Sequence, residues 1–159
     1  MSKIRVLLAD DHAIMRIGLA SLLSREKDIA VVGEANDGES TVALVRKLMP
    51  DVVVMDLMMP KLNGADATRQ ITTDIPFSPR PRVLIFTSYG TATSLAHAVI
   101  NGASGVLLKN APTRELASAI RKIAAGGKVL SSEIKAMVDE ASTSKNRLFV
   151  HDCGCSFAA

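Results

Sequence analysis

Several features that would place this chain in a large functional class are missing or scarce. Tryptophan is absent and aromatic residues make up 3% of the sequence, which disfavours a surface that stacks nucleic-acid bases. A formal net charge of +3 is too small to indicate DNA or RNA binding by itself. The opening residues lack a secretory apolar segment, and no apolar run is long enough to span a membrane.

Cysteine is equally scarce. Cys153 and Cys155 are the only two cysteines and stand near the end of the sequence, so no disulfide framework is expected to hold the body together. Hydrophobic residues reach 48% of the 159, which is enough for a sizeable aliphatic core. These features together favour a reduced, soluble protein of the cytoplasm.

What the sequence does contain is an alternation of apolar β-type runs with helix-periodic stretches. The runs predict strands at Ile4–Ala9, Ile29–Ala35, Asp51–Asp56, Arg82–Ser88 and Gly105–Lys109. In the stretch after the first run, apolar residues recur at i, i+4, i+7 and i+8, which is the stripe of a helix packed on one side. Strands alternating with helices over short connections predict an α/β doubly wound parallel sheet, whose ligands bind beyond the carboxyl ends of the strands.

The pattern changes after Gly127. The stretch "SSEIKAMVDEA", residues 131–141, predicts a short amphipathic helix. Its apolar positions are Ile134, Met137, Val138 and Ala141. The following residues, "STSKNRLFVHDCGCSFAA", have no consistent period and are interpreted as a tail. His151, Cys153 and Cys155 in this tail could bind zinc, but they lack the usual ligand spacing, so a disordered tail is the favoured interpretation.

Polar side chains of complementary chemistry follow the predicted strands. The strand ends carry Asp10 and Asp11, Asp56, Thr87 and Ser88, and Lys109. Carboxylates crowded at one sheet edge repel each other unless a cation joins them, and Mg²⁺ prefers oxygen ligands of this kind. A metal, an ammonium and a hydroxyl around one carboxylate form a receptor for a phosphoryl group. The pattern therefore predicts that Asp56 is a phosphorylated nucleophile.

Each of these residues has an ordinary alternative role when it is taken alone. Asp10 and Asp11 could cap the helix that follows them, because aspartate favours that position. Thr87 could be a β-former at a strand end, and Lys109 a solvated flank. His12 could be a metal ligand, but a solvent-facing histidine at the helix start is favoured because Mg²⁺ prefers oxygen. The complete set favours metal and phosphoryl chemistry over these alternatives.

Four stretches of the sequence carry a family resemblance. They are "LLADDH" (residues 7–12), "VVVMDLMMPKLNG" (52–64), "RVLIFTS" (82–88) and "GASGVLLKNA" (102–111). In order and spacing they resemble the receiver domain of two-component response regulators, in the LuxR/NarL/FixJ-type branch. The resemblance covers about residues 3–127. It implies a flavodoxin-like (CheY-like) five-stranded sheet in three layers, α/β/α, and transfer of a phosphoryl group from a sensor histidine kinase to Asp56.

The resemblance also implies a set of roles for individual residues. Mg²⁺ would be bound by Asp11, Asp56 and the main-chain carbonyl of Met58, with Asp10 assisting as a ligand or through a metal-bound water. The positions that match the phosphoryl contacts are Thr87 and Lys109. Water attacking the acyl phosphate would reset the switch, so the chain catalyses its own phosphoryl transfer and dephosphorylation and is not expected to be an enzyme in the usual sense.

The sequence departs from the family pattern in two places. Val106 stands where the family usually has Tyr or Phe, which puts the usual read-out in question. Residues 1–127 are expected to form the receiver, and residues 128–159, a linker helix and tail, are too few for a complete DNA-binding domain. The expected partners are a sensor histidine kinase and a possible homodimer through the helices around Leu19 and Ile120. DNA would be reached only through an output domain, and no membrane contact is expected.

Two other functions remain open from the residues themselves. One is a Mg²⁺-dependent phosphohydrolase of α/β fold, although Met58 occupies the position where an acid or base carboxylate could stand. The other is a partner-binding pseudo-receiver without chemistry, against which the intact acidic set argues. The favoured hypothesis is a phospho-accepting switch that controls a transcription-type output.

Overall fold

Parallel strands in the order β2-β1-β3-β4-β5 form a single five-stranded sheet. The computed structural model describes residues 2–76, 79–88, 90–141 and 143. The strands are β1 (Ile4–Ala9), β2 (Ile29–Ala35), β3 (Val52–Met55), β4 (Arg82–Thr87) and β5 (Gly105–Leu108). The helices between and after them are α1 (Ala13–Leu23), α2 (Gly38–Leu48), α3 (Gly64–Arg69), α4 (Ala92–Ile100) and α5 (Thr113–Ala124). A π-helical turn, Gln70–Asp74, continues α3.

This strand order is that of flavodoxin-like and CheY-like folds, as predicted. The bounds of β1 and β2 agree with the prediction. The other strands are shorter than predicted because Asp56, Ser88 and Lys109 lie beyond the last residues of the ladder. The strand ends therefore place these polar residues in the loops at the carboxyl edge of the sheet.

The two faces of the sheet carry two separate apolar clusters, because side chains alternate in direction along each strand. One cluster packs α1 and α5 against the sheet, and the other packs α2, α3 and α4. The result is the predicted three-layer α/β/α arrangement. Leu19 and Ile120 are 7% and 0% exposed and belong to the first cluster, so these two residues face the sheet, and a homodimer through α1 and α5 would use other residues of these helices.

The chain beyond α5 returns to the sheet. Val129 makes a parallel bridge with Gly105, at the free edge of β5. A further helix, α6, covers residues 132–141, and its half-buried positions are the four predicted apolar ones. Residues 144–159 lie outside the described residues, and with them most of the predicted tail and the zinc-binding alternative at His151, Cys153 and Cys155. Within the described part of the chain, no helix combines the length and apolar character needed to cross a membrane.

Candidate functional site

The carboxyl ends of four strands meet above the middle of the sheet and bring the predicted residues together. Asp10 follows β1, Asp56 follows β3, Thr87 ends β4 and Lys109 follows β5. The topology forces this meeting, because β1, β3, β4 and β5 are parallel neighbours. Asp10, Asp56 and Thr87 are buried, and only 7% of the Lys109 side chain is exposed.

Lys109 joins the two buried carboxylates. Its Nζ donates to Oδ2 of Asp10 at 2.5 Å and to Oδ2 of Asp56 at 2.8 Å. Charge-assisted hydrogen bonds of this kind are stronger than neutral ones, and they offset the cost of removing the charges from water. One ammonium thereby allows two aspartates to lie side by side in a buried place.

The titration behaviour of this group follows from the same contacts. Burial would raise the pKa of Asp10, but the hydrogen bond from Lys109 and the one from the His12 amide outweigh it and hold that pKa below 3.8. Burial would likewise lower the pKa of Lys109, but the hydrogen bonds to Asp10 and Asp56 raise it above 10.5. Asp10 and Lys109 therefore both keep their charges over the whole physiological range.

The second oxygen of Asp56 is also engaged. Oδ1 accepts a hydrogen bond from Thr87 Oγ1 at 2.9 Å and one from the Met58 amide at 3.3 Å. Together with Lys109, these donors surround the carboxylate that ends the most apolar strand. They explain how an aspartate is tolerated after a strand that is buried along its whole length.

The outer side of the site is made by Asp11 and His12. The ligand atoms of Asp10, Asp11, His12 and Asp56 all lie within 4.8 Å of one another. Three carboxylates at this spacing fit a hard divalent cation such as Mg²⁺, which takes oxygen ligands and retains several waters. His12 is exposed at the start of α1, as expected, but its Nδ1 also lies 3.2 Å from Asp10 Oδ1 and 3.0 Å from Asp11 Oδ1.

The alternative role of the acidic pair as helix caps is wrong in detail. The N-cap residue of α1 is His12, whose side chain makes no cap hydrogen bond. Asp10 accepts from the His12 amide at 2.9 Å, but it does so from a position before the cap while also bonding Lys109.

A cleft of about 360 Å³ opens above the carboxylates. Its lining residues are His12, Ile14, Met15, Asp56, Met58, Thr87, Ser88 and Lys109. The base of the cleft is charged, whereas Ile14 and Met58 are apolar and are 87% and 67% exposed. The space above Asp56 can accommodate a tetrahedral phosphoryl group, with Thr87 and Lys109 already beside it.

The loop after Asp56 is held by a close backbone approach at Gly64. The Gly64 amide donates to the Leu57 carbonyl at 2.8 Å. A Cβ at position 64 would lie 2.4 Å from the Asp56 carbonyl oxygen and 2.8 Å from Leu57 Cα. Glycine at this position therefore allows α3 to begin directly against the backbone of Asp56.

Arg16 is a contributor that the sequence did not reveal. Its guanidinium Nη1 donates to the main-chain oxygen of Asp10 at 2.5 Å, and its Nε lies 3.7 Å from Glu34 Oε1. Arg16 is only 18% exposed although it is charged, and it fixes α1 to the end of β1. The available signal was a basic residue next to the apolar stripe of α1, which is too common a feature to indicate a role.

Comparison with known proteins gives a family match over most of the chain. The model of the response regulator receiver domain matches residues 6–121. The chain is 39% identical over 135 residues to the transcriptional regulatory protein LiaR of Bacillus subtilis, covering 85% of this chain and 63% of LiaR. It is 37% identical over 131 residues to the response regulator protein VraR of Staphylococcus aureus, covering 82% of this chain and 61% of VraR. The chain thus spans less than two thirds of the length of these relatives.

Solved structures give the same result for the fold. A LuxR-family two-component response regulator from Aurantimonas sp. superposes with a TM-score of 0.77 at 37% identity, covering 89% of this chain and 99% of that one. The signal receiver domain of the response regulator NarL from Mycobacterium tuberculosis superposes with a TM-score of 0.73 at 32% identity, covering 79% of this chain and 99% of that one.

Proposed function

This chain belongs to the response regulator receiver domain family, and on that premise we propose that Asp56 is its phospho-acceptor and that a sensor histidine kinase is the donor. The observation that carries the proposal is the set of hydrogen bonds to Asp56. Lys109 and Thr87 contact different oxygens of this carboxylate at the base of an accessible cleft. Their positions suit them to follow the charge that develops on a transferred phosphoryl group.

The phosphoryl transfer needs a nucleophile and donor groups, at least one of them positively charged, around the phosphoryl oxygens. An Asp56 carboxylate oxygen attacks the phosphorus of a phosphohistidine, the new O–P bond forms as the P–N bond breaks, and the imidazole leaves with the electron pair. Lys109 and the Thr87 hydroxyl donate hydrogen bonds to the phosphoryl oxygens during and after transfer. In a separate hydrolytic step, the oxygen of a water molecule attacks the phosphorus of the acyl phosphate, the O–P bond to Asp56 breaks, and the carboxylate is restored as inorganic phosphate leaves. The chain is therefore a substrate that catalyses its own modification and not a turnover enzyme.

Mg²⁺ is the cofactor we propose for this site. Asp10, Asp11 and Asp56, with the main-chain carbonyl of Met58, would hold the ion. When bound, it would neutralise charge on the carboxylates and the phosphoryl oxygens. The fit of the three carboxylates supports this assignment, since their oxygens converge within 4.8 Å.

We further propose that the receiver comprises residues 1–127 and that residues 128–159 are a linker and tail outside it. The switch would act in the cytoplasm and control transcription through an output domain that binds DNA. The transcriptional regulatory protein LiaR and the response regulator protein VraR are both longer than the part matched here.

Intact-mass measurement after incubation with acetyl phosphate and Mg²⁺ tests the acceptor assignment. We expect one added phosphoryl group in the native protein and none in Asp56→Asn. Asp74→Asn is the matched control, because Asp74 is exposed on the turn after α3, away from the strand ends. This control should be phosphorylated like the native protein. Equal labelling of Asp56→Asn and Asp74→Asn would contradict the proposal.

A further inference from the structure

Residues 128–141, here called the strap, run along the free edge of β5. The Val106 amide donates to the Val129 carbonyl at 2.9 Å, and the Val129 amide donates to the Ser104 carbonyl at 3.1 Å. β5 is the last strand of the sheet, so these bonds satisfy backbone groups that an edge strand leaves exposed. The strap is thus paired to the same strand that leads to Lys109.

The strap also covers a side-chain surface, the α4–β5 face, made by Leu95, Ala96 and Ile100 of α4 and Val106 and Leu108 of β5. Leu130 and Ile134 pack against the core cluster that contains Leu95 and Val106. Met137 lies between α4 and β5 and borders two clefts on this face. The apolar positions of α6 therefore point at the receiver. The α4–β5 face is thus covered by a helix of the same chain.

The contact between strap and face is loose. A cleft of about 530 Å³ remains where Leu95 and Val106 meet Ile134, and one of about 440 Å³ remains where Ala96 and Ile100 meet Met137. The four apolar positions of α6 are only half-buried, so the strap buries less apolar surface than the core elements do. A segment held by few apolar contacts opens at a lower free energy than the rest of the domain.

The phospho-acceptor site and the face share two strands. The Lys109 amide donates to the Thr87 carbonyl at 3.0 Å, which ties the ends of β4 and β5 together directly behind the site. Both oxygens of Asp56 are already bonded by Thr87 and Lys109. A phosphoryl group on Asp56 would compete for these two donors, and Thr87 and Lys109 connect the site to the ends of β4 and β5. The strap packs on β5 as this strand lies when Asp56 is unmodified.

We propose that the strap is an intramolecular cover of the α4–β5 face, docked while Asp56 is unmodified and released when it carries a phosphoryl group. The proposal rests on the proposed function for its trigger, although the docking itself does not. The face becomes available to a protein partner only when the strap leaves. Docking or release of the strap then transmits the modification state of Asp56 to the residues that follow the strap in the sequence. Ile134 anchors the helix of the strap through its contact with the core, and Leu130 makes a second contact with the same cluster.

Hydrogen exchange of backbone amides in the complete chain tests the docking. Ile134→Glu places a charge against the core cluster, and Ala136→Glu places the same charge on the exposed side of the same helix. We expect amides of Val129 and α6 to exchange roughly tenfold faster in Ile134→Glu and at the native rate in Ala136→Glu. Unchanged amides of β1 and β3 would verify that the fold is intact. Equal exchange in the two variants would overturn the docking.

The trigger is tested with beryllofluoride and Mg²⁺ on the native chain, which needs no variant to fold. We expect faster exchange in the strap on addition, and little further increase in Ile134→Glu, whose strap is already released. By linkage, Ile134→Glu should bind beryllofluoride more tightly than Ala136→Glu. If acetyl phosphate modifies Asp56 but strap exchange stays the same, the trigger is wrong and the proposed function stands. If Asp56 is not modified, the proposed function fails, and the Ile134→Glu comparison still decides the docking.

Discussion

At the scale of single residues, one ammonium group determines the electrostatics of the site. Lys109 is nearly buried and bonds two buried carboxylates, so each of the three charges depends on the others. Removing one member of such a group leaves the remaining charges uncompensated, which costs more than the net contribution of the intact group. The positions of these residues are predictable from the sequence, since each follows an apolar strand, but their bonding pattern is not.

Lys109→Met is expected to destabilise the protein in the absence of divalent cations. The substitution leaves Asp10 and Asp56 facing each other without a positive charge, and the loss should be about 3 kcal/mol in the free energy of unfolding. Urea denaturation near neutral pH, with and without Mg²⁺, measures it. Mg²⁺ should recover a larger part of the loss in Lys109→Met than it adds to the native protein, because the ion replaces the missing charge. Native-like stability of the metal-free variant would contradict this view of the site.

The pH dependence of stability follows from the shift at Asp10. Its pKa in the folded protein lies below 3.8, so the folded state binds this proton less readily than the unfolded state does. The stabilisation is present above pH 3.8 and is lost as the pH falls through the lower folded pKa. Asp10→Asn should therefore show a smaller loss of unfolding free energy on acidification than the native protein. Parallel curves from urea titrations over this acid range would show that Asp10 does not contribute.

The contribution of Lys109 to stability depends on pH in the opposite direction. Its pKa is raised in the folded protein, so its contribution is complete below 10.5 and is lost as the pH rises through the folded pKa. Acid and alkali therefore weaken the same cluster from opposite sides, and stability from this site is expected to be at its plateau near neutral pH.

At the scale of elements, α3 positions Asp56, the proposed phospho-acceptor, through its first residue. Gly64 lies against the backbone of Asp56, and Thr68 Oγ1 donates to the Gly64 carbonyl at 2.6 Å. After this short helix the chain continues as a π-helical turn. The irregular end of this element was not predictable from the sequence, because it depends on how the element fits between α2 and α4.

Gly64→Ala is expected to lower both stability and phosphorylation rate. The added Cβ would lie 2.4 Å from the Asp56 carbonyl oxygen, so the backbone of the acceptor must move. Overpacking of this kind costs about 2 kcal/mol. Gly18→Ala is the matched control, because nothing lies within 4 Å of its Cβ on α1, and it should stabilise by up to about 1 kcal/mol. Urea denaturation and acetyl phosphate labelling measure the two effects. Equal stability and equal labelling of the two variants would mean that the close approach at Gly64 affects neither folding nor phosphorylation.

Sequence patterns were most informative for the repeated elements and least informative for their contacts. The apolar runs predicted all five strands, since each strand coincides with a contiguous run of mainly apolar residues. The apolar stripe also predicted the helix α6. Its docking on the α4–β5 face was not predictable, because an apolar stripe does not indicate which surface it contacts. Arg16 was missed for the same reason: its bond to the Asp10 carbonyl exists only once α1 packs beside β1.

At the scale of the whole molecule, the fold connects a charged edge to an apolar face through two strands. The topology places β4 and β5 at one side of the sheet, so in the proposed switch a change at Asp56 would reach α4 and the strap without passing through β1 or β2. A ligand shifts a two-state equilibrium only as far as it interacts differently with the two states. The amount of side-chain volume that moves on this side therefore limits how strongly the signal is transmitted.

Val106 sets that limit in this chain. It is buried in β5, borders the cleft of about 530 Å³ under the strap, and is stiff about χ1 because it is β-branched. A tyrosine at this position would extend into the cleft and compete with Ile134 for the same space. We expect beryllofluoride with Mg²⁺ to cause large NMR chemical-shift changes near Thr87 and Lys109 in the native protein, and modest ones along residues 94–101.

Val106→Tyr should enlarge the changes along residues 94–101, because the ring gives the two states of the α4–β5 face a larger difference in packing. Ile17→Tyr is the control, since it adds the same ring at a position on α1 that is 66% exposed, and it should leave the native pattern unchanged. The strap of Val106→Tyr should also exchange its amides faster than the native strap before any phosphoryl mimic is added, because the ring displaces Ile134. Full-sized shifts throughout α4 in the native protein would show that this face responds without an aromatic residue, and would place the signal in the backbone of β4 and β5 instead.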